Sequence, residues 1–143
     1  MSNKGNRVLS GSEGKVWINN ELLGDLKSIE LKITAKFDDV DFAGDNTTYY
    51  KYVGWSGEGS IKLQKKYSRG LNLLKNAFKT GIFPDVVIVS SLKDKQTGQS
   101  ERVQVSDVVF TELSLAKFES KALAEEDLPL KFSDYQVLDT IDK

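Results

Sequence analysis

Hydrophobic and polar residues alternate most regularly in two stretches of the chain, residues 29–35 and residues 60–64. A period of two is typical of a β-strand with one buried and one solvated face. The connection between these stretches, residues 36–56, has no periodicity of its own. We therefore expect two strands that pair with each other and are joined by a long loop.

Shorter apolar runs predict the other strands. In KVWINNELL, two apolar runs flank Asn19 and Asn20, which tolerate the positive φ angles of a tight hairpin turn. A second hairpin and two further strands are predicted over residues 86–92, 102–110, 113–115 and 128–132.

The hydrophobic period lengthens to three and four residues between positions 67 and 79, which predicts an amphipathic helix. Its apolar stripe consists of Tyr67, Leu71, Leu74 and Phe78. Gly81 follows where a C-terminal cap belongs, and Pro84 prevents the helix from continuing. The predicted fold is mainly β with one α-helix: a β-sandwich or partly closed barrel of about seven strands, with the helix packed at one edge.

The domain organisation is simple. A length of 143 residues, with 39% hydrophobic and 29% charged residues, is that of one ordinary globular domain. Residues 1–14 are rich in Gly, Ser and Asn and are expected to form a flexible N-terminal arm, while residues 15–143 form the single domain.

Composition removes most enzyme chemistry. The chain has no Cys and no His, so it lacks thiolate nucleophiles and the commonest general base and metal ligand. Two acidic clusters, 38–41 and 125–127, lack calcium-loop spacing, and GWSGEGS lacks the ending of a phosphate loop. We therefore expect no enzymatic activity and no cofactor. A net charge of −1 also argues against a protein whose main task is to neutralise phosphates.

No apolar stretch in the sequence approaches the length of a membrane span, and the first residues lack the apolar core of a signal peptide. The expectation is a protein that is made in the cytoplasm and does not enter a membrane.

The segment from Asp41 to Leu63 concentrates large aromatic residues among polar and glycine residues. Three interpretations are open for Tyr49, Tyr50, Tyr52 and Trp55. They stack on single-stranded nucleic acid, they fold back onto the protein's own sheet, or they are buried against a partner. The aspartates around them disfavour a phosphate-binding groove. A long connection with many aromatic rings favours a contact surface, and self-assembly would also cover open strand edges.

The order of several motifs resembles the tail tube proteins of contractile-tailed phages, including the core tail proteins of PBSX-like defective prophages and of phage-tail-like bacteriocins. The similarity runs from about Gly11 to Asp139. It is carried by SGSEGKVWINNELLGDLKSIELKI, GWSGEGSIKL, KYSRGLNLLKNAFKTG and ALAEEDLPLKFSDYQVLD.

This resemblance implies a structural subunit that forms hexameric rings, which stack into a tube through a long loop and the terminal arms. Segment 36–56 would be the stacking loop, and its contact residues would be Phe37, Phe42, Tyr49, Tyr50, Tyr52 and Trp55. Strands 26–35 and 57–65 would line the lumen, with Glu30, Lys32, Thr34, Glu58, Ser60, Lys62 and Gln64 as lumen-facing candidates. The acidic run of Glu125, Glu126 and Asp127 would contact another subunit.

The resemblance also implies partners and a location. The partners are other copies of the chain, the tail sheath, baseplate and tail terminator proteins, and DNA that passes through the lumen without specific binding. Assembly would take place in the bacterial cytoplasm, and the product would be a virion or a released phage-tail-like particle. The alternatives are a single-stranded nucleic-acid-binding β-barrel and a tube protein of another contractile injection system. We expect the loop and the N-terminal arm to become ordered only on a growing tube.

Overall fold

The structure is a computed structural model that describes Gly5 and residues 8–143. After the 3-10 turn Gly11–Glu13, the described residues form nine strands and two short helices. The strands are β1 (Gly14–Ile18), β2 (Glu21–Leu22), β3 (Leu26–Asp41), β4 (Thr48–Gln64), β5 (Ile88–Lys93), β6 (Ser100–Ser106), β7 (Val109–Phe110), β8 (Glu125–Phe132) and β9 (Asp134–Asp139). The helices are α1 (Arg69–Leu74) and α2 (Ala77–Thr80).

Two antiparallel sheets enclose the core. One has the strand order β2-β1-β5-β6-β9 and the other the order β3-β4-β8-β7. The most deeply buried side chains come from both sheets and from α1, and include Val16, Ile61, Leu74, Ile88, Phe110 and Leu128. The mainly β fold class is confirmed in its sandwich form, and the two sheets of the described region do not close into a barrel.

Both predicted hairpins are present. Asn19 and Asn20 have φ angles of 49° and 69°, the left-handed conformations that a two-residue type I′ turn needs. This turn joins β1 to β2, and Asn19 also accepts a hydrogen bond from the Val87 N–H at 2.9 Å. The second hairpin pairs β5 with β6.

The connection predicted as an irregular loop over residues 36–56 is mostly a β-hairpin. Strands β3 and β4 pair from Leu26 and Leu63 at one end to Asp41 and Thr48 at the other. Only residues 42–47 remain outside the two strands. The hairpin is paired within a single chain, so the segment is regular in structure where an irregular loop was expected. That it becomes ordered only on a growing tube stays a prediction.

The predicted helix exists but is divided. Residues 75 and 76 interrupt it between α1 and α2, and Gly81 caps its end with a φ of 73° and an N–H bond to the Ala77 carbonyl. Its buried face is formed by Gly70, Leu74 and Ala77. Of the predicted apolar stripe, only Leu74 is fully buried. The side chains of Tyr67 and Phe78 are exposed to solvent.

Two smaller expectations need correction. No strand forms around Leu113 and Leu115, where Leu115 is exposed, and strand β9 was not predicted because both of its faces are largely exposed. The N-terminal arm over residues 1–14 lies partly outside the described residues. Within it, Gly11–Glu13 form the 3-10 turn, and Glu13 binds Lys95 at 2.9 Å.

A buried ion pair fastens the helix to the base of the β3–β4 hairpin. The Arg69 guanidinium contacts Asp25 at 3.2 Å and Glu21 at 3.4 Å, and its Cζ lies 4.7 Å from the centre of the Tyr67 ring. Asp25 immediately precedes β3, and its side chain is almost completely buried. The pair therefore fixes the position of α1 relative to the first residues of β3.

Candidate assembly interface

The most unusual surface of the molecule is the distal part of the β3–β4 hairpin, residues 36–54, which we call the projecting hairpin. Strand β8 pairs with β4 only between Gly57 and Gln64. Beyond Gly57, β3 and β4 continue as a two-stranded ribbon that no third strand of the described region accompanies. Both faces of this ribbon are exposed to solvent.

Aromatic side chains cover the projecting hairpin without being buried. Tyr50 has an exposed fraction of 68%, and the exposed group also includes Phe37, Phe42, Tyr49 and Tyr52. The rings form two edge-to-face pairs, Phe37 with Tyr52 and Phe42 with Tyr49, each with centroids 5.8 Å apart. Such pairs are favourable, yet about half of the surface of these side chains stays in water. Exposed apolar surface of this extent is typical of an interaction site.

The tip of the projecting hairpin is organised by Asp45. Its carboxylate accepts hydrogen bonds from the Thr47 N–H at 2.8 Å and from the Tyr49 hydroxyl at 2.9 Å. These two bonds, with the backbone bond as the larger cause, hold the pKa of Asp45 below its ordinary value of 3.8. The Asp45 N–H in turn binds the Phe42 carbonyl at 3.1 Å, which closes a turn at the tip.

Trp55 belongs to the sandwich more than to the projecting hairpin. It is partly buried, and its ring lies 5.2 Å from that of Tyr135 and 6.4 Å from that of Phe132. Trp55 therefore differs from the other predicted contact residues in being partly buried within its own chain, and its contact with a neighbouring ring stays a prediction. Gly57 makes room for this packing, since a Cβ at that position would lie 2.3 Å from the Phe132 ring. This contact could not be predicted from the sequence, because Tyr135 lies in the unpredicted strand β9.

A β-bulge separates the sandwich from the projecting hairpin. Lys36 pairs with Gly54 but Phe37 pairs with Tyr52, which leaves Val53 as an extra residue. Gly54 has a φ of 148°, in the region that favours glycine. Bulges bend a strand and increase its twist. Because the extra residue is absorbed here, Tyr50 and Tyr52 stay on the side of the sheet that carries Trp55 and the core.

The predicted lumen-facing residues share one face of the four-stranded sheet. Glu30 lies opposite Ser60, and Lys32 opposite Glu58. Thr34, Lys62 and Gln64 follow the same alternation. The side chains on the other side of these strands include Ile29, Leu31, Ile61 and Leu63, which pack in or against the core. We call this surface the polar face.

Strand β8 adds residues to the polar face that the sequence analysis had not placed there. Lys131 lies opposite Glu58, Asp127 opposite Lys62, and Glu125 opposite Gln64. The residues named so far on the polar face include four carboxylates and three lysines. Lys32 lies 3.5 Å from Glu58 and 3.9 Å from Glu30, so charges of opposite sign are interspersed rather than segregated.

The acidic run of β8 does not present one contact surface. Glu126 has an exposed fraction of only 5% and points into the molecule, where its Oε1 would lie 1.9 Å from a Cβ at Gly70. Glu125 binds Lys27, and Asp127 binds Lys117 at 3.4 Å. The prediction that Glu126 contacts another subunit was wrong, because alternation along a half-buried strand sends every second side chain inward.

The described residues contain no cluster of three or more His, Cys, Asp or Glu side chains that would hold a metal ion. Asp38 and Asp39 point to opposite faces of the hairpin, which separates the carboxylates that the sequence places side by side. Nor does any helix within the described part of the chain have the length and apolarity that crossing a bilayer requires.

Known proteins are similar to this chain over nearly its whole length. The family described as phage tail tube protein matches residues 1–139. The phage-like element PBSX protein XkdM of Bacillus subtilis is 29% identical over 140 residues, which cover 96% of this chain and 95% of that protein.

Two solved structures share the fold at low identity. A chain from the sheath-tube complex of the extracellular contractile injection system PVC, in its extended state, has a TM-score of 0.73 and 13% identity, covering 96% of this chain and 100% of that chain. A chain from the 6-fold symmetrised baseplate of the anti-feeding prophage has a TM-score of 0.67 and 10% identity, covering 88% and 91%.

The nucleic-acid-binding barrel is not favoured by these similarities. Since the family match spans nearly the whole sequence, the protein belongs to the phage tail tube protein family.

Proposed function

We propose that this tail tube subunit forms hexameric rings, and that the projecting hairpin of each subunit stacks one ring on the next around a central lumen. The observation that carries the proposal is the two-stranded ribbon with exposed aromatic rings, which a single chain leaves unburied. Interfaces between proteins are enriched in Tyr and Phe at their buried centres. Burial against a neighbouring ring gives these side chains the environment that the monomer lacks.

Ring closure would use the open edges of the four-stranded sheet. Strand β3 lies at one edge and runs from Leu26 to Asp41, and β7 lies at the other. A long unpaired edge presents N–H and C=O groups that pair readily with another chain. Pairing between neighbouring subunits would join their four-stranded sheets into one continuous barrel and remove the open edges of this sheet. The 6-fold symmetry of the anti-feeding prophage baseplate supports a hexameric ring.

The polar face would then line the lumen. Its interspersed carboxylates and lysines leave no continuous basic surface along β3, β4 and β8. Binding to the phosphate backbone depends on clustered cationic groups. DNA passing through such a lumen would not be retained.

The proposed partners follow from the tube itself. The outer surface of the rings would face a tail sheath, and the two tube ends would meet baseplate and terminator proteins. The sheath-tube complex of PVC supports the first of these contacts. The N-terminal arm, residues 1–14, would add to the stacking contacts. Assembly would take place in the bacterial cytoplasm, and the role would be structural without enzymatic activity.

The test is electron microscopy of the purified full chain at high concentration, with light scattering on the same sample. Hollow rings and tubes are expected. A matched variant with Tyr50→Ala and Tyr52→Ala should still form rings but should give far fewer tubes. A chain that remains monomeric at every concentration, even with a tail complex that nucleates polymerisation, would overturn the proposal.

The same preparation addresses the nucleic-acid-binding alternative. Affinity for a single-stranded oligonucleotide that falls steeply with salt and is lost on Tyr52→Ala would assign the rings to base stacking instead. We expect no such binding.

A further inference from the structure

Charge is distributed unequally between the two ends of the β3–β4 hairpin. Residues 36–52, at the projecting end, contain four aspartates and two lysines. Residues 65–82, which follow β4 and include both helices, contain five basic residues and no acidic residue. We refer to residues 65–82 as the basic segment.

These two regions lie at opposite ends of the same strand. Strand β4 begins at Thr48 in the projecting hairpin and ends at Gln64, immediately before the basic segment. Its 17 residues span about 55 Å at about 3.3 Å per residue. The contact of Arg69 with Asp25 holds the basic segment at the far end. The projecting hairpin therefore cannot fold back to neutralise the basic segment of its own chain.

The charged side chains at both ends are available. Asp38, Asp39 and Asp41 are exposed, as are Lys66, Lys75 and Lys79. Within the described part of the chain, none of these six takes part in an ion pair. Arg69 differs from the three lysines because it is already paired inside the molecule.

Apolar surface accompanies the charge at both ends. The basic segment exposes Tyr67, Phe78 and Ile82, and the exposed fraction of Ile82 is 77%. The Phe78 ring stands edge-on to Phe83 at 5.4 Å, which fixes one side of an apolar patch. The projecting hairpin exposes its aromatic rings beside the aspartates. A contact between the two would thus bury apolar surface at its centre and match charges around it.

We propose that the projecting hairpin of one subunit docks on the basic segment of a second copy in the adjacent ring. The inference rests on the proposed function, since it names the receiving surface for the ring-to-ring contact. A contact between two different surfaces of one protein repeats head to tail and produces an open filament. The reversed arrangement would bring aspartates against aspartates, so charge also fixes the direction in which subunits stack.

The test is a charge exchange in the full-length protein, with tube formation followed by sedimentation and electron microscopy. The first variant carries Asp38→Lys, Asp39→Lys and Asp41→Lys, and the second carries Lys66→Glu, Lys75→Glu and Lys79→Glu. Each alone should raise the concentration needed for tube formation at least tenfold while leaving rings intact. The combined variant should bring that concentration back to within about threefold of the original, because attraction is re-established with the signs exchanged.

Two controls separate this inference from loss of folding. A matched triple variant, with Lys15→Glu, Lys93→Glu and Lys143→Glu, makes the same charge change at exposed positions outside the basic segment and should form tubes normally. The milder set Lys66→Gln, Lys75→Gln and Lys79→Gln should weaken tube formation less than the glutamate set. Thermal unfolding by circular dichroism should show the same transition in every variant.

The outcomes distinguish the two proposals. If the aspartate variant loses tubes but the lysine variant polymerises normally, or if the combined variant is not restored, the receiving surface lies elsewhere and stacking by the projecting hairpin stands. If the aspartate variant and the Tyr50→Ala, Tyr52→Ala variant both form tubes like the original protein, the proposed function of the hairpin fails.

Discussion

The sandwich and the projecting hairpin are made from the same two strands but differ in what surrounds them. Between Leu26 and Leu31, β3 alternates between residues packed on the core and exposed residues. Beyond the bulge at Val53 towards the tip, β3 and β4 pair residue by residue while both faces stay exposed. The difference teaches that a period of two records burial on one side. Strand pairing alone leaves no such trace in the sequence.

The sandwich should respond most strongly to loss of its buried ion pair. Arg69→Met leaves the Asp25 carboxylate buried without its cation, which typically costs about 3–5 kcal/mol. Urea denaturation of the isolated protein measures the loss. The matched control is Arg102→Met, because Arg102 binds Asp139 over the same 3.2 Å but both side chains are about half exposed. The control should lose less than about 1 kcal/mol, and equal losses would contradict the role assigned to burial.

The free energy of unfolding should fall by almost as much when the close approach of β3 and β4 within the sandwich is disturbed. A Cβ at Gly59 would lie 2.2 Å from the Glu30 carbonyl oxygen, so Gly59→Ala forces the two backbones apart. We expect a loss of about 3 kcal/mol, at the upper end for overpacking. Gly24→Ala is the control, since nothing lies within 4 Å of its added Cβ. A neutral Gly59→Ala would show that the two strands separate without cost.

Two aromatic residues of β4 test where the sandwich ends. Trp55→Ala should lower the free energy of unfolding by about 2 kcal/mol, less than for a fully buried ring, because Trp55 packs on Phe132 and Tyr135. Tyr50→Ala should change it by less than about 0.5 kcal/mol and yet reduce tube formation. Thermal unfolding and sedimentation of both variants measure the contrast. A stability loss for Tyr50→Ala equal to that of Trp55→Ala would place the Tyr50 ring inside the molecule.

The smallest predicted effect is on the stability of the tip of the projecting hairpin. Because the folded-state pKa of Asp45 is lowered, its hydrogen bonds stabilise the tip above pH 3.8, and this contribution disappears as the pH falls through the lowered pKa. Titration of the Asp45 carboxyl carbon by NMR should give a pKa below 3.8. Tyr49→Phe should raise that pKa only part of the way, since the Thr47 N–H is the larger cause. An unchanged pKa in this variant would exclude the hydroxyl bond.

Much of the sandwich could be predicted, because a strand that is buried on one side has apolar residues at every second position of its sequence. Leu128, Leu130 and Phe132 recur at every second position among less buried neighbours, and β8 follows that pattern. The turn at Asn19 and Asn20 could be predicted because asparagine is one of the few residues that adopt positive φ angles. Strand β9 was missed for the opposite reason, since its side chains are largely exposed on both faces.

The candidate interface was predictable in kind but not in shape. The excess of aromatic residues marked the segment, yet nothing in the sequence distinguished a paired ribbon from an irregular loop. Single positions within it depended on contacts that are distant along the chain, as when Tyr135 holds Trp55 against the sandwich. Glu126 shows the same limit, because its inward direction is set by the alternation of β8 and not by its charge.

Because of the bulge at Val53, the direction in which the projecting hairpin points can change independently of which side chains lie on each of its faces. Deleting Val53 would leave Tyr50 and Tyr52 on their present side and remove the bend, whereas inserting one residue into regular β4 between Val53 and Gly57 would turn every side chain towards the tip to the opposite side. Within a family of tube proteins, the loss or gain of one residue at this bulge can therefore change the direction of a contact while the contacting side chains stay the same.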